Sequence, residues 1–261
     1  MVYFVYSAET ASSNIATELK VLLQLEKSED FNGLQHFSND KIHMIGIEGR
    51  VIDADFLDKI LDSTVIFLSR HSSNKGISAF TVHAEGNWSN DATLGGKPKE
   101  LSVSSPSNML NFLSAIKNMN TTDIGVTYEA THHGPLLNHP SFFVELGGNE
   151  DVIASKEHAL FIAKATVKAL DTDAAYDKIA VGIGGMHYPE KFTRLALEGK
   201  YAFAHIMSKY HVDCVDMIGN AFERSDRKPE IALIEWKSIK AIDRENILRE
   251  LNVLGIDYAK V

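Results

Sequence analysis

Cysteine is almost absent from this sequence, and the single example, Cys214, rules out an internal disulfide. One cysteine also excludes cysteine-rich zinc fingers. The run HVDCVDMIG around it is partly apolar, so we expect Cys214 to be a small buried residue. A metal ion in this protein would therefore be bound by imidazole and carboxylate groups.

Long apolar runs are missing as well. The N-terminal segment MVYFVYSAET turns polar after six residues and has no basic lead, unlike a signal peptide. No stretch approaches the roughly 18 apolar residues of a membrane-spanning helix. We expect a soluble, cytoplasmic protein.

An excess of positive charge is the third absence. The chain has 35 acidic and 26 basic residues, a formal net charge of −9. A protein that coats nucleic acid needs a basic surface, so the composition counts against that class. It leaves room for a small basic patch.

Apolar periodicity predicts an alternation of strands and helices along most of the chain. We expect strands at residues 2–7, 65–68, 78–83, 124–130, 141–148 and 178–185. We expect helices at 9–25, 107–119, 155–170 (capped by Ser155), 201–210 and 241–253. Residues 231–239 fit either state, and 85–106 fit a long surface loop with few apolar anchors. The pattern indicates one α/β domain over residues 1–261, with a mostly parallel sheet and helices on both faces.

Histidines are the most informative residues that are present. Of the eleven, six fall at or just beyond predicted strand ends: His71, His83, His132, His133, His139 and His187. Ligands of open parallel sheets bind outside the carboxyl ends of the strands. The pattern therefore predicts a metal site assembled from distant segments. His205 lies in a predicted helix and is interpreted as a packed core or interface histidine, and His36, His43, His158 and His211 have no distinctive surroundings.

The segment TYEATHHGP (127–135) carries the strongest local signal, with Glu129, His132 and His133 within five residues. Neighbouring side chains of an extended strand point to opposite sides. His132 and His133 can therefore face one metal only if the chain kinks. If the chain stays extended, the two histidines bind two different metal ions, or one binds the metal and the other holds that ligand in place. The remaining alternative is a solvated turn whose histidines bind no metal.

Four further segments carry groups of the same kind. FTVHAEGN (80–87) places His83 at a strand end. SRHSS (69–73) combines Arg70 and His71. This segment could bind a phosphate or an oxyanion, or it could be an ordinary polar loop. FFVELGG puts Glu145 inside an apolar strand, where a buried carboxylate needs a partner unless it faces solvent. GIGGMHYPEKFT (182–193) delivers His187 from a glycine turn that fits neither a dinucleotide fingerprint nor a P-loop.

Taken in order, SRHSS, TVHAEGN, YEATHHGP, VELGG and GIGGMHY resemble the D-aminoacyl-tRNA deacylases of the second, archaeal and plant type. The resemblance runs to about residue 210. It implies a zinc-dependent enzyme with a phosphorylase- or peptidyl-tRNA hydrolase-like core and inserted loops. It also implies a monomer that hydrolyses the ester of D-aminoacyl-tRNA and so proofreads chirality in translation.

With that resemblance, we expect zinc-activated water to attack the ester carbonyl. The candidate ligands are His83, His132, His133, Glu145 and His187, and two zinc ions are expected because five candidates exceed the three of one catalytic site. Glu129 is the candidate base, although Glu129 and Glu145 could exchange roles. Arg70 or His71 would neutralise the oxyanion or grip the terminal ribose-phosphate.

Two other functions stay open on the sequence alone. One is a zinc amidohydrolase or carboxypeptidase-like enzyme acting on small acylated amino acids, and the other is a zinc-stabilised RNA-binding module without activity. If tRNA is the partner, its acceptor end must meet a restricted basic patch. The expected donors are Arg70, Lys75, Lys97, Lys99, Lys191 and Arg194.

Overall fold

The computed structural model describes residues 1–71 and 77–261, and within them the chain forms fourteen strands and seven α-helices. The strands are β1 (Val2–Tyr6), β2 (Glu26–Lys27), β3 (Gln35–Ser38), β4 (Ile42–Gly46), β5 (Thr64–His71), β6 (Ala79–His83), β7 (Gly86–Asn87), β8 (Glu100–Leu101), β9 (Gly125–Tyr128), β10 (Ser141–Gly147), β11 (Lys178–Ile183), β12 (Tyr201–Met207), β13 (Ile231–Ile234) and β14 (Tyr258–Lys260). The helices are α1 (Thr10–Leu22), α2 (Pro106–Met119), α3 (Glu150–Ala154), α4 (Lys156–Leu170), α5 (Glu190–Leu197), α6 (Ile218–Glu223) and α7 (Ala241–Leu254).

An eight-stranded sheet in the order β2-β3-β4-β1-β5-β10-β6-β9 forms the larger layer. Its centre, β4-β1-β5-β10, is parallel, whereas β6 runs antiparallel to β10 and β9 runs parallel to β6. The carboxyl end of β5 therefore points in one direction along the sheet, and the carboxyl ends of β6 and β9 point in the opposite direction. The α/β class and the mostly parallel sheet are confirmed.

The helices α1, α2 and α4 cover one face of this sheet because each carries an apolar stripe at helical spacing. In α1 the buried residues are Ala11, Ile15, Ala16 and Leu19, and they pack into the largest apolar cluster. Ser155 caps α4 as predicted, since its side chain accepts a hydrogen bond from the amide of His158. The opposite face packs against short 3₁₀ helices at Val51–Asp53 and Asp55–Lys59.

A second, four-stranded parallel sheet in the order β12-β11-β13-β14 follows in the chain. Its apolar residues divide between two clusters, one shared with α2 and α5 and the other with α6 and α7. The segment 201–210, predicted as a helix, contains the strand β12 at Tyr201–Met207 instead, so that prediction was wrong. The spacing of the apolar residues in YAFAHIM fits a strand as well as a helix. Its pairing with β11 makes it a strand.

The other predicted elements agree with the observed boundaries to within a few residues. Several observed elements had no predicted counterpart, namely the strands β2, β3, β4, β7, β8 and β14 and the helices α3, α5 and α6. Residues 231–239, which fitted either state, begin as the strand β13. Among the described residues, no helix combines the length and apolarity that crossing a membrane requires.

Candidate active site

A stripe of polar side chains crosses the face of the large sheet that the α-helices leave uncovered. Along this stripe His71 pairs with Gly147, Glu145 lies beside Ser69, and His83 lies opposite Phe143. His83 stacks on the Phe143 ring, with centroids 5.1 Å apart. The sequence analysis predicted that these histidine and glutamate side chains lie at the carboxyl ends of parallel strands. Because β6 is antiparallel, strands that run in opposite directions bring them to the site.

The kink that His132 and His133 required is present at His133. Its φ is +47°, in the left-handed region that residues with a side chain rarely adopt. This turn brings the two imidazole rings to one side, with centroids 4.2 Å apart. The amide of Gly86 donates to the carbonyl of His133 at 2.7 Å, which helps to hold the strained residue. Such strain is typical of functional sites.

His83, His132 and His133 form one group, the three-histidine cluster, whose ligand atoms lie within 4.8 Å of one another. In each ring Nδ1 donates to a backbone carbonyl: that of Ala84 at 3.0 Å, Ala130 at 2.9 Å and Gly134 at 2.6 Å. A carbonyl can only accept, so each neutral ring carries its proton on Nδ1 and leaves the Nε2 lone pair free. This is how metal-binding histidines are oriented.

The pKa values within this cluster follow burial and neighbouring charges. Burial and the neighbouring imidazoles lower the pKa of His132 well below its usual value, and the same causes lower that of His133 to about 4. At His83 burial also acts to lower the pKa, but the nearby carboxylates, Glu145 foremost, outweigh it and raise the pKa. His132 and His133 are therefore neutral at pH 7, as a metal ligand must be.

Glu129, Glu145, His71 and His187 form a second group beside it, the carboxylate cluster. Glu129 is fully buried and lies at its centre, with one oxygen 2.7 Å from His187 Nε2 and the other 3.0 Å from His71 Nδ1. Glu145 Oε2 lies 3.6 Å from both His71 Nδ1 and His83 Nε2, and so stands between the two groups. The sets His71, Glu129, His187 and His83, Glu129, Glu145 each also have the spacing of metal ligands.

Ionisation of the carboxylate cluster is set by competition between burial and ion pairing. Burial acts to raise the pKa of Glu129 and of Glu145, but the adjacent imidazoles outweigh it and hold both below the usual value. For His71, burial is outweighed by Glu129 and Glu145, which raise its pKa to about 10. The His71 Nε2 also hydrogen-bonds to the hydroxyl of Tyr188. This cluster thus pairs two carboxylates with a cationic imidazole.

Both clusters open into a crevice of about 710 Å³, which reaches the carboxyl ends of β1 and β5. Arg70 lines this crevice, and its Nε lies 3.7 Å from Glu9 Oε1. Seven of the eight predicted site residues therefore lie together. The eighth, Arg70, lies on the crevice wall with its side chain beside Glu9. His139 belongs to neither cluster, since its Nε2 lies 3.9 Å from Asp58.

The segment 85–106 is a surface loop only in its middle, since residues 89–100 are half-buried or exposed while both ends are mostly buried. Trp88 is 2% exposed and donates from Nε1 to the carbonyl of Thr131, directly before the histidine pair. Gly134 contacts Gly96 so closely that a Cβ on Gly134 would lie 2.2 Å from the Gly96 nitrogen. The segment therefore packs over the histidine turn and fixes its path.

Two residues near the clusters carried little signal in the sequence. Glu85 is completely buried, with neither carboxylate oxygen hydrogen-bonded within the described chain, and burial raises its pKa to about 7. His211 lines a small cavity of about 150 Å³ behind His132 and His133, so its surroundings are not featureless. Only the tertiary fold reveals either position.

The six cations expected to meet tRNA have different surroundings. Lys99 pairs with Asp216 at 2.6 Å and Arg194 with Glu198 at 3.2 Å, so both already have carboxylate partners. Lys75 and two of the serines of SRHSS, Ser72 and Ser73, lie outside the described residues. Of the five cations that the structure describes, Arg70 is the one that lines the crevice.

Comparisons with known proteins bear on this arrangement. The family model of D-aminoacyl-tRNA deacylases matches residues 60–259. The D-aminoacyl-tRNA deacylase of Methanosarcina acetivorans is 35% identical over 97% of this chain and 89% of its own length, and that of Pyrococcus abyssi is 33% identical over 97% and 96%. A crystal structure of a conserved protein of unknown function superposes with a TM-score of 0.90 at 30% identity, covering 100% of this chain and 95% of that one. The chain therefore belongs to the D-aminoacyl-tRNA deacylase family of enzymes.

Proposed function

We propose that this protein hydrolyses the ester bond of D-aminoacyl-tRNA with the help of zinc, releasing the free D-amino acid and tRNA in the cytoplasm. Family membership supports the substrate class. The observation that carries the mechanism is the convergence of one ligand nitrogen from each of His83, His132 and His133 within 4.8 Å, beside an open crevice that His132 and His133 line.

The donor set fits zinc. His83 Nε2 is buried and has no hydrogen-bond partner within the described part of the chain, a costly state that a metal ion would relieve. Three histidines with one open position are a ligand set of catalytic zinc sites. Bound there, zinc would polarise the ester carbonyl and lower the pKa of water to about 7.

The remaining residues have roles that follow from their contacts. Glu129 accepts the proton of the attacking water, because its buried carboxylate is held ionised beside the three-histidine cluster. His187 contacts Glu129 at 2.7 Å and is the more exposed partner, so it can pass a proton to the departing ribose oxygen. His71, held by both carboxylates and Tyr188, would stabilise the oxyanion through its positive charge, and Arg70 would meet the ribose-phosphate at the crevice wall.

A second zinc ion would be held by His71, Glu129 and His187. In that case Glu129 is a ligand, and Glu145, 3.6 Å from His83, takes over as the base. Metal analysis decides between the two assignments: one zinc per chain assigns the base to Glu129, and two assign it to Glu145.

The function is tested with D-Tyr-tRNA, L-Tyr-tRNA and N-acetyl-D-tyrosine in parallel. We expect zinc-loaded protein to release tyrosine from D-Tyr-tRNA and to leave the other two substrates intact. Equal rates on the D and L esters would refute a role in chiral proofreading. Faster hydrolysis of N-acetyl-D-tyrosine would instead identify an amidohydrolase.

A further inference from the structure

A second cavity adjoins the crevice at the carboxyl edge of the large sheet. It has a volume of about 880 Å³ and shares Ser7 and Ala8 with the crevice. The crevice lies over the ends of β1 and β5, and this cavity lies over the ends of β1 and β4, which run parallel in the same sheet. The two therefore form one continuous path along the sheet edge, and we call the second part the β4 cavity.

Two lysines line the β4 cavity, Lys20 and Lys27. Lys20 Nζ lies over the rings of Phe37 and Tyr6, at 4.4 and 5.3 Å from the centroids. Neither lysine forms an ion pair with a carboxylate of the described residues, although Asp30 and Glu48 line the same cavity. Unpaired ammonium groups in a cleft of an acidic protein are suited to bind phosphate.

Groups suited to a nucleobase lie beside these lysines. Phe56 is 43% exposed on the cavity wall, where it offers a free aromatic face. The Tyr6 hydroxyl donates to Gln35 Oε1 at 2.5 Å, which fixes the carboxamide and leaves its NH₂ group without a protein partner among the residues described. Gly46 is needed here, because a Cβ at this position would lie 2.9 Å from the Tyr6 ring.

We infer that the β4 cavity binds the single-stranded nucleotide that precedes the terminal adenosine of the tRNA substrate. This inference rests on the proposed function, because an ester placed at the clusters must lead its polynucleotide out of the crevice. Phe56 stacks on the base, Gln35 donates to its edge, and Lys20 and Lys27 bind the flanking phosphates. Lys99 and Arg194, which could mark other paths, are occupied by Asp216 and Glu198.

The test measures binding and catalysis with separate probes. Binding uses a 5′-phosphorylated oligoribonucleotide ending in CCA, and catalysis uses D-Tyr-tRNA and the D-tyrosyl ester of adenosine. One variant combines Lys20→Met, which keeps the apolar stem, with Lys27→Gln, and a second is Phe56→Ala. Lys164→Met with Lys237→Gln, both exposed on other elements, is the matched control.

We expect the Lys20/Lys27 variant to weaken oligonucleotide binding on the order of tenfold and to reduce its salt slope by about 1.4, which is 0.7 for each phosphate contact. Phe56→Ala should weaken binding on the order of tenfold without changing that slope. In both, KM should rise more for D-Tyr-tRNA than for the adenosine ester, while the control pair behaves like wild type.

Two results would overturn the inference, and they are distinguishable. If wild-type protein hydrolyses the adenosine ester but the cavity variants bind the oligonucleotide as wild type does, the β4 cavity is not the nucleotide subsite. An equal loss in the control pair would have the same meaning. If wild-type protein hydrolyses neither D-Tyr-tRNA nor the adenosine ester, the proposed function fails and the subsite fails with it.

Discussion

The three-histidine cluster and the carboxylate cluster lie side by side, yet they are built on different principles. Each histidine of the first fixes its proton by donating Nδ1 to a backbone carbonyl. In the second, His71 and His187 make their contacts with Glu129, so their protonation depends on a charged neighbour. Backbone carbonyls therefore orient the three-histidine cluster so that its rings can donate lone pairs to a metal. In the carboxylate cluster, Glu129 instead favours the protonated form of its histidine partners.

This difference assigns separate tasks to neighbouring residues of the same type. A metal ligand must be deprotonated, whereas a proton-transfer group must exchange its proton during the reaction. Changes in the first cluster should therefore remove metal, and changes in the second should remove activity with metal retained at the first. The substitutions below are ordered from the largest expected effect to the smallest.

Substitution in the three-histidine cluster should have the largest effect. We expect His132→Ala, and His133→Asn, which tolerates the left-handed backbone, to lose bound zinc and to reduce hydrolysis about 10³-fold, since a catalytic metal contributes several kcal/mol to the transition state. Elemental analysis with D-Tyr-tRNA turnover measures both. His139→Gln, a histidine outside both clusters, is the control, and full zinc content in both variants would remove the basis for this site.

Glu129→Gln should separate the two clusters. The amide is isosteric with the carboxylate but accepts no proton, so we expect kcat to fall about 10²- to 10⁴-fold. The zinc held by the three histidines should remain, as measured by metal content per chain. Loss of all zinc in this variant would show that the carboxylate cluster, rather than the three histidines, holds the metal.

Tyr188→Phe probes the edge of the carboxylate cluster. The change removes the hydroxyl that contacts His71 Nε2 and leaves the ring in place. A single hydrogen bond contributes about 0.5–1.5 kcal/mol, so we expect kcat to fall roughly 2- to 10-fold with unchanged zinc content. A loss comparable to that of Glu129→Gln would mean that Tyr188 takes part in the chemistry itself.

His205 provides a structural comparison, because it is buried but lies in neither cluster. Burial lowers its pKa from 6.5 to about 4, so the folded protein keeps it neutral where the unfolded chain takes up a proton. Its contribution to the free energy of unfolding is complete above pH 6.5 and is lost as the pH falls towards 4. The shift corresponds to about 3 kcal/mol at most.

Urea unfolding of wild type and His205→Gln at several pH values measures this contribution. We expect the variant to be less stable at pH 7.5, because the imidazole contacts with Thr131 and Arg224 are lost. The deficit should shrink between pH 6.5 and 4. A deficit that stays constant with pH would show that His205 ionises normally in the folded state.

Local sequence was enough to identify the segments that form the site. It did not show how these segments are arranged relative to one another in the fold. Glu129, His132 and His133 lie together in the chain, and His187 follows a glycine turn, so composition alone singled them out. The antiparallel direction of β6, which brings His83 to the site from the opposite edge, is set by strand pairing across 60 residues of chain. Periodicity within a strand carries no information about its direction.

Residues 201–210 and 85–106 show the same limit. YAFAHIM fits a helix or a strand by spacing, and pairing with β11 selects the strand. In 85–106 the glycines and asparagines look like a solvated loop, but Trp88 is an anchor whose partner, the Thr131 carbonyl, lies 43 residues away. Glu85 was overlooked for the same reason, because its burial depends on the segment that covers it.

X-ray absorption at the zinc edge of the zinc-loaded protein shows which of the two clusters binds the metal. Binding by His83, His132 and His133 predicts a first shell with three imidazole nitrogens at about 2.0–2.1 Å. His132→Ala should lower that number to two or abolish binding. A shell of carboxylate oxygens with at most two imidazole nitrogens, unchanged in His132→Ala, would contradict the assignment of zinc to the three histidines.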